Sequence, residues 1–152
     1  MRREEEVAEY LRGDPLLGTL LPGGIYADAD LGDEGITDAV TTPDVWSGGT
    51  LRATAIVRER AEVPTLQLVD VKRQVADSNQ VVEIWLYAPS AAALDSVRQR
   101  VYALMQGHVF ARAWPAVWVP GLAVGSVPEL PAGLGIKMMR EDYQIRALRR
   151  AA

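Results

Sequence analysis

Few residues of this 152-residue chain belong to the types that carry out chemistry. There is no cysteine, which removes disulfides and thiol nucleophiles from consideration. His108 is the single histidine, so a zinc site built from His and Cys is nearly excluded, and a Ser-His-Asp triad would have to use that one ring. No serine stands in a G-x-S-x-G frame. His108 follows a predicted helix end on the apolar side, where a half-buried structural histidine is expected. No P-loop and no G-x-G-x-x-G is present. Asp28, Asp30, Asp33 and Glu34 resemble a calcium loop, but Gly32 occupies the place of a ligand and no glutamate stands at position twelve. A solvated acidic loop is the better reading. No pair of carboxylates is singled out for glycoside hydrolysis. The expectation is a protein without a catalytic site, a metal or a cofactor.

What remains is aromatic and arginine side chains, and the elements that position them. The chain is organised around Gln80–Gly107, which reads as strand, tight turn and amphipathic helix. Val82, Ile84 and Leu86 alternate with Val81, Glu83, Trp85 and Tyr87, the period of a strand. Pro89 stops it, and Ser90 is a candidate N-cap, since its hydroxyl accepts from an orphan N–H of the first turn. Leu94, Val97, Val101, Leu104 and Met105 then fall within an arc of roughly 100°, a stripe that packs on the Val82/Ile84/Leu86 face. Gly107 suits the left-handed position that ends many helices. The last strand, Ile136–Leu148, carries Met139, Tyr143 and Ile145 on one face and Arg140, Asp142, Gln144 and Arg146 on the other. Trp85 and Tyr87 therefore point away from the helix, and Trp, Tyr and Arg are enriched at interface centres. Trp85, Tyr87, Arg140 and Arg146 are the candidate interface residues. Trp114 and Trp118 read as core plugs.

In the first third of the chain, Glu4–Arg12 predicts a short helix with acids in its first turn. Asp14-Pro15 offers an N-cap followed by proline, starting a helical turn over Leu16–Leu21 that Pro22-Gly23-Gly24 breaks. Ile25-Tyr26 suits a small edge strand. Residues 28–49 are read as a long loop. Thr50–Arg58 and Leu66–Val75 predict strands, with Asp77-Ser78-Asn79 as a turn into the central strand. Val109–Val119 is aromatic and irregular, and Val127–Gly135 is a Pro/Gly loop. The order predicts an α+β domain, a mostly antiparallel sheet with helices packed on one face, and one domain over residues 1–152. The formal charge of -4 argues against nucleic-acid binding driven by overall charge. No apolar run reaches the length of a membrane span, and MRREEEVAEY lacks the apolar centre of a signal peptide, so no membrane partner is expected and synthesis in the cytoplasm is.

Several stretches together resemble a known group. A short helix ends in DPLLGTLLPGGIY, a strand LRATAIVRE follows after a loop, then VVEIWLYAPSAAALDSVRQRVYALMQG, and finally MMREDYQIRAL. In element order, over most of residues 4 to 149, the chain resembles the tail terminator or tail completion proteins of long-tailed bacteriophages. Residues 28–49 and 109–135 depart from that pattern. The resemblance implies a virion structural protein with no catalytic site. It implies a homo-oligomeric ring, usually a hexamer, that caps the tail tube protein and meets the head-tail connector protein, with genome DNA passing through the lumen without specific binding. It places the protein in the tail or neck of a virion assembled in a bacterial host. A connector stopper or a tail tube protein is the alternative, and a small-ligand-binding or enzymatic α+β domain is a third reading.

Overall fold

The computed structural model describes residues 2–28, 46–47, 50–60, 63–68, 75–119, 124–127 and 137–150. The chain begins with helix α1 (Arg3–Arg12), and Glu4, Glu5 and Glu6 in its first turn face the positive end of the helix dipole. The Glu4 carboxylate turns inward and accepts the Glu59 N–H at 3.1 Å, tying the start of α1 to the sheet. Helix α2 (Pro15–Leu20) has the expected start: Asp14 Oδ2 accepts from Leu17 N at 2.8 Å, with Pro15 at the first helical position. The Pro-Gly-Gly turn leads into β1 (Ile25–Ala27), where Gly24 adopts φ 102, a conformation that L side chains rarely take.

A small hairpin of β2 (Trp46–Ser47) and β3 (Thr50–Leu51) precedes β4 (Thr54–Glu59). The expected loop over 28–49 otherwise lies outside the described residues. Next come β5 (Val63–Leu68) and β6 (Val75–Ala88), helix α3 (Ala91–Met105), and strands β7 (Val117–Trp118), β8 (Val124–Val127) and β9 (Lys137–Arg150). The expected 127–135 loop lies outside the described residues beyond Val127.

The main sheet runs β1-β4-β6-β9-β7, with β5 also on β6 and β8 also on β9. Only β1 and β4 pair in parallel; the remaining pairs among the described residues are antiparallel. The axis is the ribbon of β6 and β9, paired without interruption from Val75↔Arg150 to Ala88↔Lys137. Fourteen residues at ~3.3 Å each make it about 46 Å long.

Two expectations are corrected here. Asp77-Ser78-Asn79 is not a turn: it lies within β6, paired to β5 on one side and to β9 on the other. The preceding strand is Val63–Leu68 rather than Leu66–Val75.

The helices lie on one face, and the fold is α+β. Val82, Ile84 and Leu86 are fully buried, as are Leu94, Val97, Val101 and Met105 to within 1 %. Leu104 packs at the margin of the same cluster. Val7, Ala8 and Leu11 of α1, Leu17 of α2, and Tyr143 and Ile145 of β9 complete the core. Ser90 caps α3 by accepting from Ala93 N at 3.1 Å, and Gly107 takes φ 80 just beyond its end. Arg100 of α3 holds both oxygens of Asp14 at 2.9 and 2.5 Å, a bidentate tie between helices that keeps that carboxyl below its usual range.

Candidate interaction surface

Alternation along β4, β6 and β9 sends every second side chain to the face opposite the helices. In register across the strands stand Ile56, Trp85 and Arg140, then Arg58, Glu83 and Asp142. The Trp85 ring lies between two guanidinium groups, Arg58 and Arg140, each 5.6 Å from its centroid. Each such contact contributes about 0.5–1 kcal/mol at a partly exposed site. The guanidiniums are in turn matched by acids. Arg58 pairs with Asp28 at 3.0 Å, and Arg60 reaches Glu83 at 2.7 Å and Asp142 at 3.4 Å. Arg140 contacts Glu83 at 3.4 Å and Asp142 at 3.1 Å. Asp142 has no exposed surface, and its burial pushes its carboxyl above the ordinary range against the pull of Arg140.

Of the four candidate residues, the structure brings Trp85 and Arg140 together. Tyr87 is half-buried two residues along the same strand, beside Met138 in register, and burial pushes its phenol up. Arg146 stands apart. It pairs in register with Asn79, six positions from Arg140 and therefore roughly 20 Å along the strand, and it is exposed. Sequence reasoning missed Arg58, Arg60, Glu83 and Asp142 as members of the cluster. The alternation had placed Glu83 and Asp142 on this face, but only strand order sets them beside Arg58 and Arg60.

The other expected sites fall out as follows. His108 is half-buried and stacks on Tyr10 at 3.8 Å, with Phe110 edge-on, the structural role expected of it. Of the acidic run, Asp28 is an ion-pair partner, and Asp30, Asp33 and Glu34 lie outside the described residues. Among the described residues no three His, Asp or Glu side chains gather as metal ligands would. Among them, too, no helix is long and apolar enough to cross a membrane. Trp118 is partly buried and donates to Glu141 at 2.7 Å. Trp114 is a correction: it is 55 % exposed and plugs nothing, because its backbone joins the sheet edge while its side chain stays in solvent.

This fold has a counterpart among solved structures. A chain described as "Virion of native gene transfer agent (GTA) particle" superposes with a TM-score of 0.61 over 97% of this chain and 95% of its own. The two are 14% identical in sequence, so the likeness is one of fold. No protein-family model and no curated protein matches the sequence.

Proposed function

We propose that the chain is a structural protein of a phage-like virion and acts as a tail terminator. In this reading it forms a closed ring, a hexamer, that caps the tail tube, stops its growth and offers a surface to the head connector, with genome DNA passing through the lumen. The observation that carries the reading is the fold shared with a chain of a gene transfer agent virion across nearly the full length of both. The resemblance of the sequence to tail terminators, in element order, selects this role within the virion. The face bearing Trp85, Tyr87, Arg140 and Arg146 is proposed as one of its contact surfaces, since its residue types are those that anchor interfaces. The function is carried by surfaces and not by catalysis.

A phage or gene transfer particle lacking this gene provides the test. Tails of uncontrolled length, or complete tails that fail to join heads, are the expected outcome. Particles with tails of normal, uniform length and full infectivity or transfer would overturn the proposal. Empty connectors with no tail tube at all would favour a tube or stopper protein instead.

A further inference from the structure

Strand β7 is two residues long and ends the strand order of the main sheet. Val119 N donates to Asp142 O at 3.0 Å just beyond it, and Trp118 N donates to the Gln106 side chain at 2.8 Å. Short elements at an edge open locally at a lower free energy than global unfolding. What this one covers is an acid. Trp118 stands opposite Tyr143 in register, and its indole reaches diagonally along β9 to Glu141, where Nε1 donates to Oε2 at 2.7 Å. Glu141 is 3 % exposed, and this is its one hydrogen bond among the described residues. Its other oxygen has Arg98 Nε at 3.8 Å, too far for a bond. Arg98 is turned instead to Asp95, at 2.8 Å. Arg98 Nε and Tyr143 Oη are buried beneath α3 with no hydrogen-bond partner among the described residues.

The groups around the Glu141 carboxyl come from each element packed on it. Helix α3 supplies Arg98 with its partner Asp95, and Tyr102, whose ring meets Trp118 edge-on at 6.0 Å. Strand β6 supplies Ile84, opposite in register. On β9 itself stand Tyr143, on the same face, and Asp142, whose charge adds to the cost of a second one. A carboxylate with one hydrogen bond, one distant cation and almost no water is worse off than in solvent. We propose that Trp118 is a lid on Glu141, and that ionisation of this acid lifts the 117–119 strap from β9. With the lid down the protonated acid is favoured, in keeping with the upward shift that burial gives it. With the lid up, water reaches the carboxylate and the charge costs little. The open population is therefore smallest below the ordinary carboxylate range. It rises with pH and levels off above the pKa of the closed form. The device belongs to the single chain and does not depend on the ring reading above.

Native-state amide hydrogen exchange of the full chain tests this, with each rate referred to the intrinsic exchange rate at the same pH. Low concentrations of urea separate the two routes of exchange, because local opening is nearly insensitive to urea and global unfolding is not. The reporter is the Val119 amide, and the reference for global unfolding is the Val101 amide within α3. Val119 is expected to exchange by a urea-insensitive opening whose equilibrium constant rises several-fold from pH 4 to pH 7. In Glu141→Gln, which keeps an oxygen for Trp118 and cannot ionise, that constant is expected to stay flat. Trp118→Phe keeps an aromatic cover but removes the bond that favours the charged form, so its rise with pH is expected to exceed that of the wild type. The proposal is overturned if Glu141→Gln shows the same rise as the wild type. It is overturned equally if the wild-type constant falls with pH, which would mean that the Trp118 bond outweighs the loss of solvent. Exchange of Val119 with the steep urea dependence of Val101 also overturns it, since the strap would then open only with the whole fold. So does a smaller rise in Trp118→Phe than in the wild type.

Discussion

Glu141 shows burial and charge acting against each other. It lies on the core face of β9 opposite Ile84, 3 % exposed. Trp118 Nε1 donates to one oxygen at 2.7 Å, and Arg98 lies 3.8 Å from the other. Loss of solvent raises its pKa; the Trp118 bond and the Arg98 charge oppose this, and the neighbouring Asp142 adds to it. The folded pKa is above the unfolded one, so the folded state binds this proton more tightly. The stabilisation is complete below the usual carboxylate range and is lost as pH rises through the folded pKa. Glu141→Gln keeps an oxygen for Trp118 and removes the titration. Urea unfolding from pH 4 to 7 is therefore expected to show the variant gaining on the wild type as pH rises; a constant difference across that range would contradict the assignment. The sequence placed Met139, Tyr143 and Ile145 on this face but passed over Glu141, because an acid in an alternating strand ordinarily marks the solvent side.

At the scale of elements, the strand–helix unit was legible because its signals are local. Period-2 apolar positions, a Ser N-cap and a glycine at the helix end each act within a few residues. Val101 sits mid-stripe, fully buried. Val101→Asp leaves a carboxylate without a partner against the sheet and is expected to cost about 3 kcal/mol or more, read as a fall in denaturant midpoint. A change within ~0.5 kcal/mol would mean that α3 does not pack as described. The Asp77-Ser78-Asn79 stretch went the other way. Its residue types favour turns, yet pairing with β5 and β9 on both sides holds it extended, since strand preference depends on neighbours more than on intrinsic backbone bias.

At the scale of the whole molecule, the helices cover one face of the sheet and leave the other to an arginine–carboxylate–tryptophan cluster. That cluster is matched in charge within the chain, so substitution of its half-buried centre, Trp85, is expected to alter contacts more than folding. In Trp85→Glu the new carboxylate is expected to lie near Arg58 and Arg140, whose guanidiniums are each 5.6 Å from the centre of the ring it replaces. Its thermal melt is predicted to stay closer to wild type than that of Val101→Asp. Supplied in trans to particles lacking the gene, it is predicted to restore far fewer functional tails than the wild-type copy. Equal melting losses in the two variants would show that this face is needed for folding and would remove it from the proposed contacts.

The sequence by itself determined the fold class, the helix–sheet core and the caps, because each depends on periodicity or on hydrogen bonds a few residues apart. It also showed an edge strand in Ile25-Tyr26 and a structural role for His108. Only the tertiary structure decided which polar residues meet. Glu83 and Asp142 lie far apart in the chain and become neighbours only through the β6–β9 register, and Arg60 reaches both across the sheet. Trp114 and Trp118 look alike in sequence, four residues apart in an irregular stretch. The chain's path along the edge of β9 gives one a carboxylate partner and leaves the other in solvent, and no local pattern encodes that path.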